Sequence, residues 1–183
     1  MGNVMVELEQ MRTLDVVRAV DDGRLDFGIV REDALAPEHK CRKLGKVGYS
    51  VFAATHFWKG CRTVEDLIRK APMADLLPGG QFATNLQAWM GKEKLLPKVI
   101  ARVSSFTDLA KAVQAGYAAA VLPDLATVEF DCKKFEHRPI KALSSRSLAL
   151  IANARSLDRA GLSDIAATKL AKLLQEGFQT CEK

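Results

Sequence analysis

The most regular alternation of apolar and polar positions lies in residues 13–31, TLDVVRAVDDGRLDFGIVR. Leu14, Val17 and Val20 recur at helical spacing, with Asp15, Arg18, Asp21 and Asp22 on the other faces, which predicts an amphipathic helix. Thr13 stands where an N-cap hydroxyl can accept an orphan first-turn amide. Gly23 stands where a helix can end in the left-handed conformation without a Cβ penalty. The apolar run 27–30 reads as a buried strand, and residues 4–8 supply a strand before the helix, so the segment predicts a βαβ unit.

Strand patterns follow at 43–46 and 49–54, with Gly45 and Gly48 permitting a bend. Thr63 and Asp66 are spaced for a capping box that opens a helix. Residues 72–77 suit a strand and 78–80 a turn. Phe82, Leu86, Trp89 and Met90 then share one helical face, the stripe of a core helix. A strand at 99–103 leads through Ser104 and Ser105 into a helix at 106–115. That helix faces inward with Phe106, Leu109, Ala110 and Val113, and Gly116 closes it. The next buried strand, 118–122, is stopped by Pro123. Strand, helix and strand with short links predict parallel pairing and a right-handed crossover. Short strands at 135–139 and 147–151 precede a last helix at 162–178, expected to bury Leu162, Ile165, Ala166, Leu170, Leu173 and Leu174. The fold class is α/β. Two lobes are expected, each a mainly parallel sheet flanked by helices: residues 1–53 and 148–183 form the first, and 54–147 the second.

Composition narrows the function. With 183 residues, 48% hydrophobic and 27% charged, the chain is an ordinary globular protein. No apolar run is long enough for a spanning helix, and the N-terminus lacks the basic start and apolar stretch of a signal peptide. A cytoplasmic protein with no membrane partner is expected. The net charge of +5 comes from Lys and Arg spread along the chain. Spread charge suits a solvated surface first, an anionic small ligand second and direct DNA contact last. Cys41, Cys61, Cys132 and Cys181 are scattered, with no Cys-x-x-Cys and no histidine at zinc-finger spacing. They suit a reducing compartment, and no metal or cofactor is expected. Cys61 and His56 are the nearest pair that resembles catalytic machinery, but they sit in a loop with no convergent third group, so no enzyme is expected.

The binding candidates fall at strand ends and helix starts. Arg31 exits a strand at the carboxyl edge, where open α/β sheets hold ligands, and its planar fork suits a carboxylate. Pairing with Glu32 or Asp33 accounts for it equally well. Gly79 and Gly80 precede a helix whose first amides, including that of Gln81, can attract an anion; an ordinary turn explains them too. They are not a P-loop, because the Gly-Lys-Ser/Thr ending is missing. Thr13, Ser104 and Ser105 are either plain helix caps or polar groups of a cleft.

The segment 14–30, ending Asp22-Gly23-Arg24-Leu25-Asp26-Phe27-Gly28-Ile29-Val30, resembles the effector-binding domain of LysR-type transcriptional regulators. The resemblance continues through 42–54, 63–67 and 106–123, in the family's order and over nearly the whole chain. It implies a two-lobed type 2 periplasmic-binding-protein-like fold holding a small, anionic effector between lobes to control transcription. It also implies effector contacts at Thr13, Arg31, Gly80, Gln81, Ser104, Ser105 and Phe106. Self-association into a dimer or higher is implied, with DNA bound only through a winged helix-turn-helix domain that this chain lacks. The family's first strand and first helix of this domain have no counterpart before Val4. The first lobe is therefore expected to be incomplete, repairing its sheet or borrowing a strand from a partner. A stand-alone solute-binding protein of the same fold is the alternative.

Overall fold

Valines 16, 17 and 20 with Ala19 make the buried stripe of α1 (Thr13–Asp21), and they pack on Val30 and Ile151. This is the computed structural model of the protein, and it describes residues 5–159 and 164–180. The helix departs from expectation at its start. Arg12 is the N-cap residue and no side chain caps the first turn, so Thr13 is already helical. Leu14 is exposed, because the small Ala19 lets the helix settle on the 16/17/20 face instead. Gly23 has the positive φ of 71° that the turn requires.

The chain divides into two compact units, Met1–Lys46 with Arg146–Lys183, and Val47–Ser145. In the first, β1 (Phe27–Arg31), β8 (Arg146–Ala152) and β2 (Cys41–Val47) form a sheet in the order β1-β8-β2. β1 and β8 run antiparallel, Phe27 opposite Ala152 and Arg31 opposite Leu148. This corrects the expected parallel character of that lobe: residues 5–8 form no strand, so α1 has no strand before it with which to build a βαβ unit. Val4 lies outside the described residues. Successive β8 side chains point to opposite faces. Ile151 meets α1, while Leu150 joins Leu44 and Ala171 under α6 (Asp164–Thr180). α6 buries Ala167 and Ala171, with Leu170, Leu174 and Phe178 partly covered, whereas Ile165 and Leu173 are exposed. The expected inward face is thus rotated toward the alanines. Leu162 lies outside the described residues. A short α5 (Ala154–Arg159), not expected from the sequence, precedes it.

In the second unit, β3 (Tyr49–Ala54) lies between β6 (Ala120–Pro123) and β7 (Phe135–Pro139), antiparallel to both. β4 (Pro72–Leu76) and β5 (Lys98–Val103) pair in parallel. Ala74 N donates to Ala119 O and Ala119 N to Pro72 O, both at 2.8 Å, carrying the ladder from β4 to the start of β6. The order across the unit is therefore β5-β4-β6-β3-β7, and every strand but β3 points one way. Here the parallel expectation holds, with β4 lying between the two strands that α4 (Phe106–Gln114) connects.

Alternate residues feed two cores. Val51, Met73, Ala119 and Val121 pack beneath α2 (Val64–Lys70) and α3 (Gln81–Lys92), through Leu67, Ile68, Leu86, Trp89 and Met90. Phe52, Ala74, Ala120 and Leu122 pack beneath α4 through Leu109, Ala110 and Val113. The capping box of α2 is complete. Thr63 Oγ1 accepts from Asp66 N, while the amides of Arg62 and Thr63 donate to the Asp66 carboxylate and hold its pKa below the usual value.

Two predictions follow from the first unit's packing. A Cβ at Gly28 would lie 2.6 Å from a Val16 methyl and 3.1 Å from one of Val20. Gly28→Ala should therefore push α1 off the sheet and cost about 1–3 kcal/mol in urea unfolding. His39 Nε2 lies 3.2 Å from Asp21 Oδ2, and that hydrogen bond chiefly raises the imidazole pKa above 6.5. The folded state favours protonated His39, so the contribution is fully present below pH 6.5 and is lost as pH rises through the raised value. In a pair whose carboxylate is half exposed it is worth at most about 1 kcal/mol. The melting-temperature difference between wild type and His39→Gln should accordingly shrink from acidic to alkaline pH.

Candidate functional site

The parallel pairing of β4 with β5 sets up the candidate site of the second unit. Leu76 stands opposite Val103, and Leu77 N donates to Val103 O at 2.8 Å, so both strands finish at one edge. α3 and α4 begin a few residues beyond these strand ends. Their first turns are held side by side by aromatic contact. The rings of Phe82 and Phe106 meet edge to face at 5.0 Å, and Phe82 also packs on Tyr49 at 4.7 Å. Gly80, Gln81, Ser105 and Phe106 are thereby gathered at the carboxyl edge of a parallel strand pair.

The two helix starts differ chemically. At α4, Ser105 Oγ accepts from Asp108 N at 3.1 Å and donates to Asp108 Oδ2 at 2.8 Å, so this N-terminus carries both its cap and a negative charge. Ser105 is the cap that the sequence predicts, and Ser104 beside it is exposed. At α3, the N-cap residue is Gly80, no side chain caps the turn and no acidic residue occupies it. Gly79 has φ 117°, a conformation that glycine alone tolerates, and no atom lies near where a Cβ of Gly79 or Gly80 would be. Gln81 Nε2 donates to Asn85 Oδ1 at 3.1 Å, which tethers its side chain along the helix surface. The first turn of α3 thus carries neither a side-chain cap nor an acidic residue of its own against the helix's partial positive charge, as suits an anion site.

In the first unit, Arg31 closes β1 with its side chain largely covered. Its Nε lies 3.4 Å from Asp33 Oδ1, near enough for attraction, yet forms no hydrogen bond and is shut off from solvent. Arg146 Nη1 donates to Asp33 Oδ2 at 3.1 Å. Two guanidiniums thus share one carboxylate. Glu32 is engaged elsewhere: it pairs with Lys43 at 3.0 Å and raises that ammonium's pKa. Pairing of Arg31 with Asp33 is thus observed, but it does not satisfy the guanidinium. Thr13, in the same unit, begins α1 without capping it.

Sequence reasoning missed several participants. Arg146 comes to Asp33 from 113 positions away, and no local pattern marks it. Gly48 admits the Asp124 carboxylate where a Cβ would collide with it, and Asp124 accepts from the buried Ser50 hydroxyl at 2.6 Å. A small cavity lined by Met73, Asp75, Leu86 and Met90 has room for about a single water and is no ligand site. Among the described residues no group of His, Cys, Asp and Glu is placed to hold a metal, and Cys41, Cys61 and Cys132 are free thiols. Among them, too, no helix is long and apolar enough to cross a membrane.

The chain belongs to the LysR substrate binding domain family, whose model matches residues 2–178. A comparison with curated proteins finds no match. Among solved structures, the chain is similar to a cysteine mutant of OxyR from Corynebacterium glutamicum, at 19% identity and TM-score 0.63 over 93% of this chain and 54% of that one. It is similar to full-length CbnR complexed with its target DNA, at 13% identity and TM-score 0.60 over 80% and 52%. A transcriptional regulator described as putative from Vibrio parahaemolyticus shares 15% identity and TM-score 0.67 over 93% and 79%. These likenesses show the type 2 periplasmic-binding-like α/β fold. The chain spans about half the length of the first two.

The open start of α3 depends on its glycine pair. Gly79→Ala should cost about 1 kcal/mol or more, because alanine is strained at φ 117°. Hydrogen exchange should show faster opening of the first α3 turn, with the α4 amides unchanged.

Proposed function

We propose that this chain is the effector-sensing domain of a LysR-type transcriptional regulator and that its effector is a small anion. The anion engages the α3 and α4 starts of the second unit. Gly80 and Gln81 supply amides, Ser105 its hydroxyl, and Phe106 an apolar wall. The observation that carries this reading is the pair of helix N-termini at one strand edge, of which α3 has neither a side-chain cap nor an acid. In the first unit, Arg31 by itself presents a guanidinium whose Nε has no acceptor, a group of the kind that binds carboxylates bidentately. Family membership supports the sensing role. DNA contact then belongs to a separate domain of the regulator, in keeping with the similarity to CbnR, whose full-length form is complexed with its target DNA. Binding changes the conformational balance of the domain, and that change is what the regulator transmits.

Thermal shift against inorganic sulfate, phosphate and a panel of mono- and dicarboxylates tests this. A member present at 100 times its dissociation constant stabilises by about 2.7 kcal/mol, which raises the melting temperature by roughly 5–10 °C. Ser105→Ala and Gln81→Pro should each weaken that ligand by about tenfold or more, since each removes a charge-assisted donor at the helix starts. Binding of only neutral or cationic compounds, or anion binding unaffected by both substitutions, would contradict the reading.

A further inference from the structure

Residues 32–40 connect β1 to β2, and the two halves of this connection are held differently. At its start, Glu32 pairs with Lys43 at 3.0 Å, and Arg146 holds the Asp33 carboxylate that Arg31 also approaches. Leu35 is partly buried against the α1 core. Among the described residues, the backbone hydrogen bonds of the second half are local, with His39 N donating to Ala36 O at 3.0 Å. The His39 side chain ties this half to α1.

The end of α1 is a firm anchor. Asn153 Nδ2 donates to the carbonyls of Val20 at 2.6 Å and Asp21 at 3.2 Å, and the amides of Arg24 and Leu25 both donate to Ala19 O. From this fixed turn Asp21 places Oδ2 3.2 Å from His39 Nε2. The other ring nitrogen, Nδ1, lies 3.3 Å from Ala36 O. A carboxylate and a backbone carbonyl both accept hydrogen bonds and cannot donate them. A neutral imidazole has one N–H and serves only one of the two, turning a lone pair on the other oxygen. The imidazolium serves both. The surrounding charges act in the same direction. Asp21 from α1 and Glu38 from the connection each favour the cation, the Asp21 hydrogen bond most of all. At the same helix end Asp22 pairs with Arg24 at 3.6 Å, and Lys40, next to the histidine in the chain, is exposed.

We propose that His39 is a proton-operated clasp: doubly protonated, it fastens residues 36–40 to the end of α1, and on losing one proton it lets them go. The clasped segment is continuous with Asp33, so the proton steadies the connection that carries the carboxylate shared by Arg31 and Arg146. The clasp is closed below pH 6.5 and opens as the pH rises through the raised value of the ring. Every contact involved lies within the first unit, so the clasp operates whichever ligand the domain binds.

Proton–nitrogen NMR of the His39 ring from about pH 5 to about pH 9 tests this, together with hydrogen exchange of the His39 backbone amide corrected for its intrinsic rate. Both ring nitrogens should carry protons at the acidic end, and the ring should titrate above 6.5. Protection of the amide should fall about two- to fivefold across that titration. Asp21→Asn should lower the titration point. His39→Gln keeps one donor but cannot titrate, so its amide protection should be flat with pH. Should either variant fail to fold, the wild-type titration decides. A wild-type ring that titrates at or below 6.5, amide protection that does not change across the titration, or a pH dependence that survives in a folded His39→Gln would overturn the proposal.

Discussion

The parallel hydrogen bonding of β4 to β5 is the constraint on which the second unit's chemistry depends. Two strands that run the same way end at the same edge, and here they end with Leu76 beside Val103. Both chain segments must then turn back, and each does so through a helix. Two helix N-termini consequently meet at one place, with Phe82 and Phe106 in contact between them. Antiparallel pairing would have sent the helices to opposite edges and separated their positive ends. The sheet's direction, rather than any one side chain, creates the electrostatic site.

Within that frame, small differences in capping decide which terminus is available. Ser105 and Asp108 satisfy α4 from inside the chain, as Thr63 and Asp66 satisfy α2. α3 has glycine where those helices have a hydroxyl, and alanine rather than an acid three residues after the cap. The cost is a less stable helix start, because no side-chain cap serves the first amides. A ligand that supplies the missing acceptor recovers that stability, which couples binding to the local order of α3.

Local signals were legible in the sequence to the extent that they act locally. Ser105 and Thr63 each have an acidic partner three residues on, and Gly23 and Gly116 each take up the positive φ expected of a helix end. Thr13 failed as a cap because the helix starts at the neighbouring Arg12, a one-residue displacement that propensity does not resolve. The inward faces of α1 and α6 were misplaced for a shared reason. Large residues such as Leu14, Ile165 and Leu173 were expected inside, but helices that lie close on a sheet bury alanines, here Ala19, Ala167 and Ala171. Residues 5–8 have a strand's pattern without a strand's partner, and pairing is a property of two segments rather than one. The Arg31–Asp33 pair is local and expected, whereas Arg146 with Asp33 and Gly48 with Asp124 join distant positions, so nothing near them in the chain announces those meetings.

The central claim is that the α3 and α4 starts act as one anion site. Following backbone amide resonances by NMR during a sulfate titration tests it most directly. The account predicts that the amides of Gln81 and Phe82 and those of Phe106 and Thr107 shift together with a single dissociation constant. Separate constants for the two helix starts, or shifts confined to exposed lysines elsewhere, would contradict it.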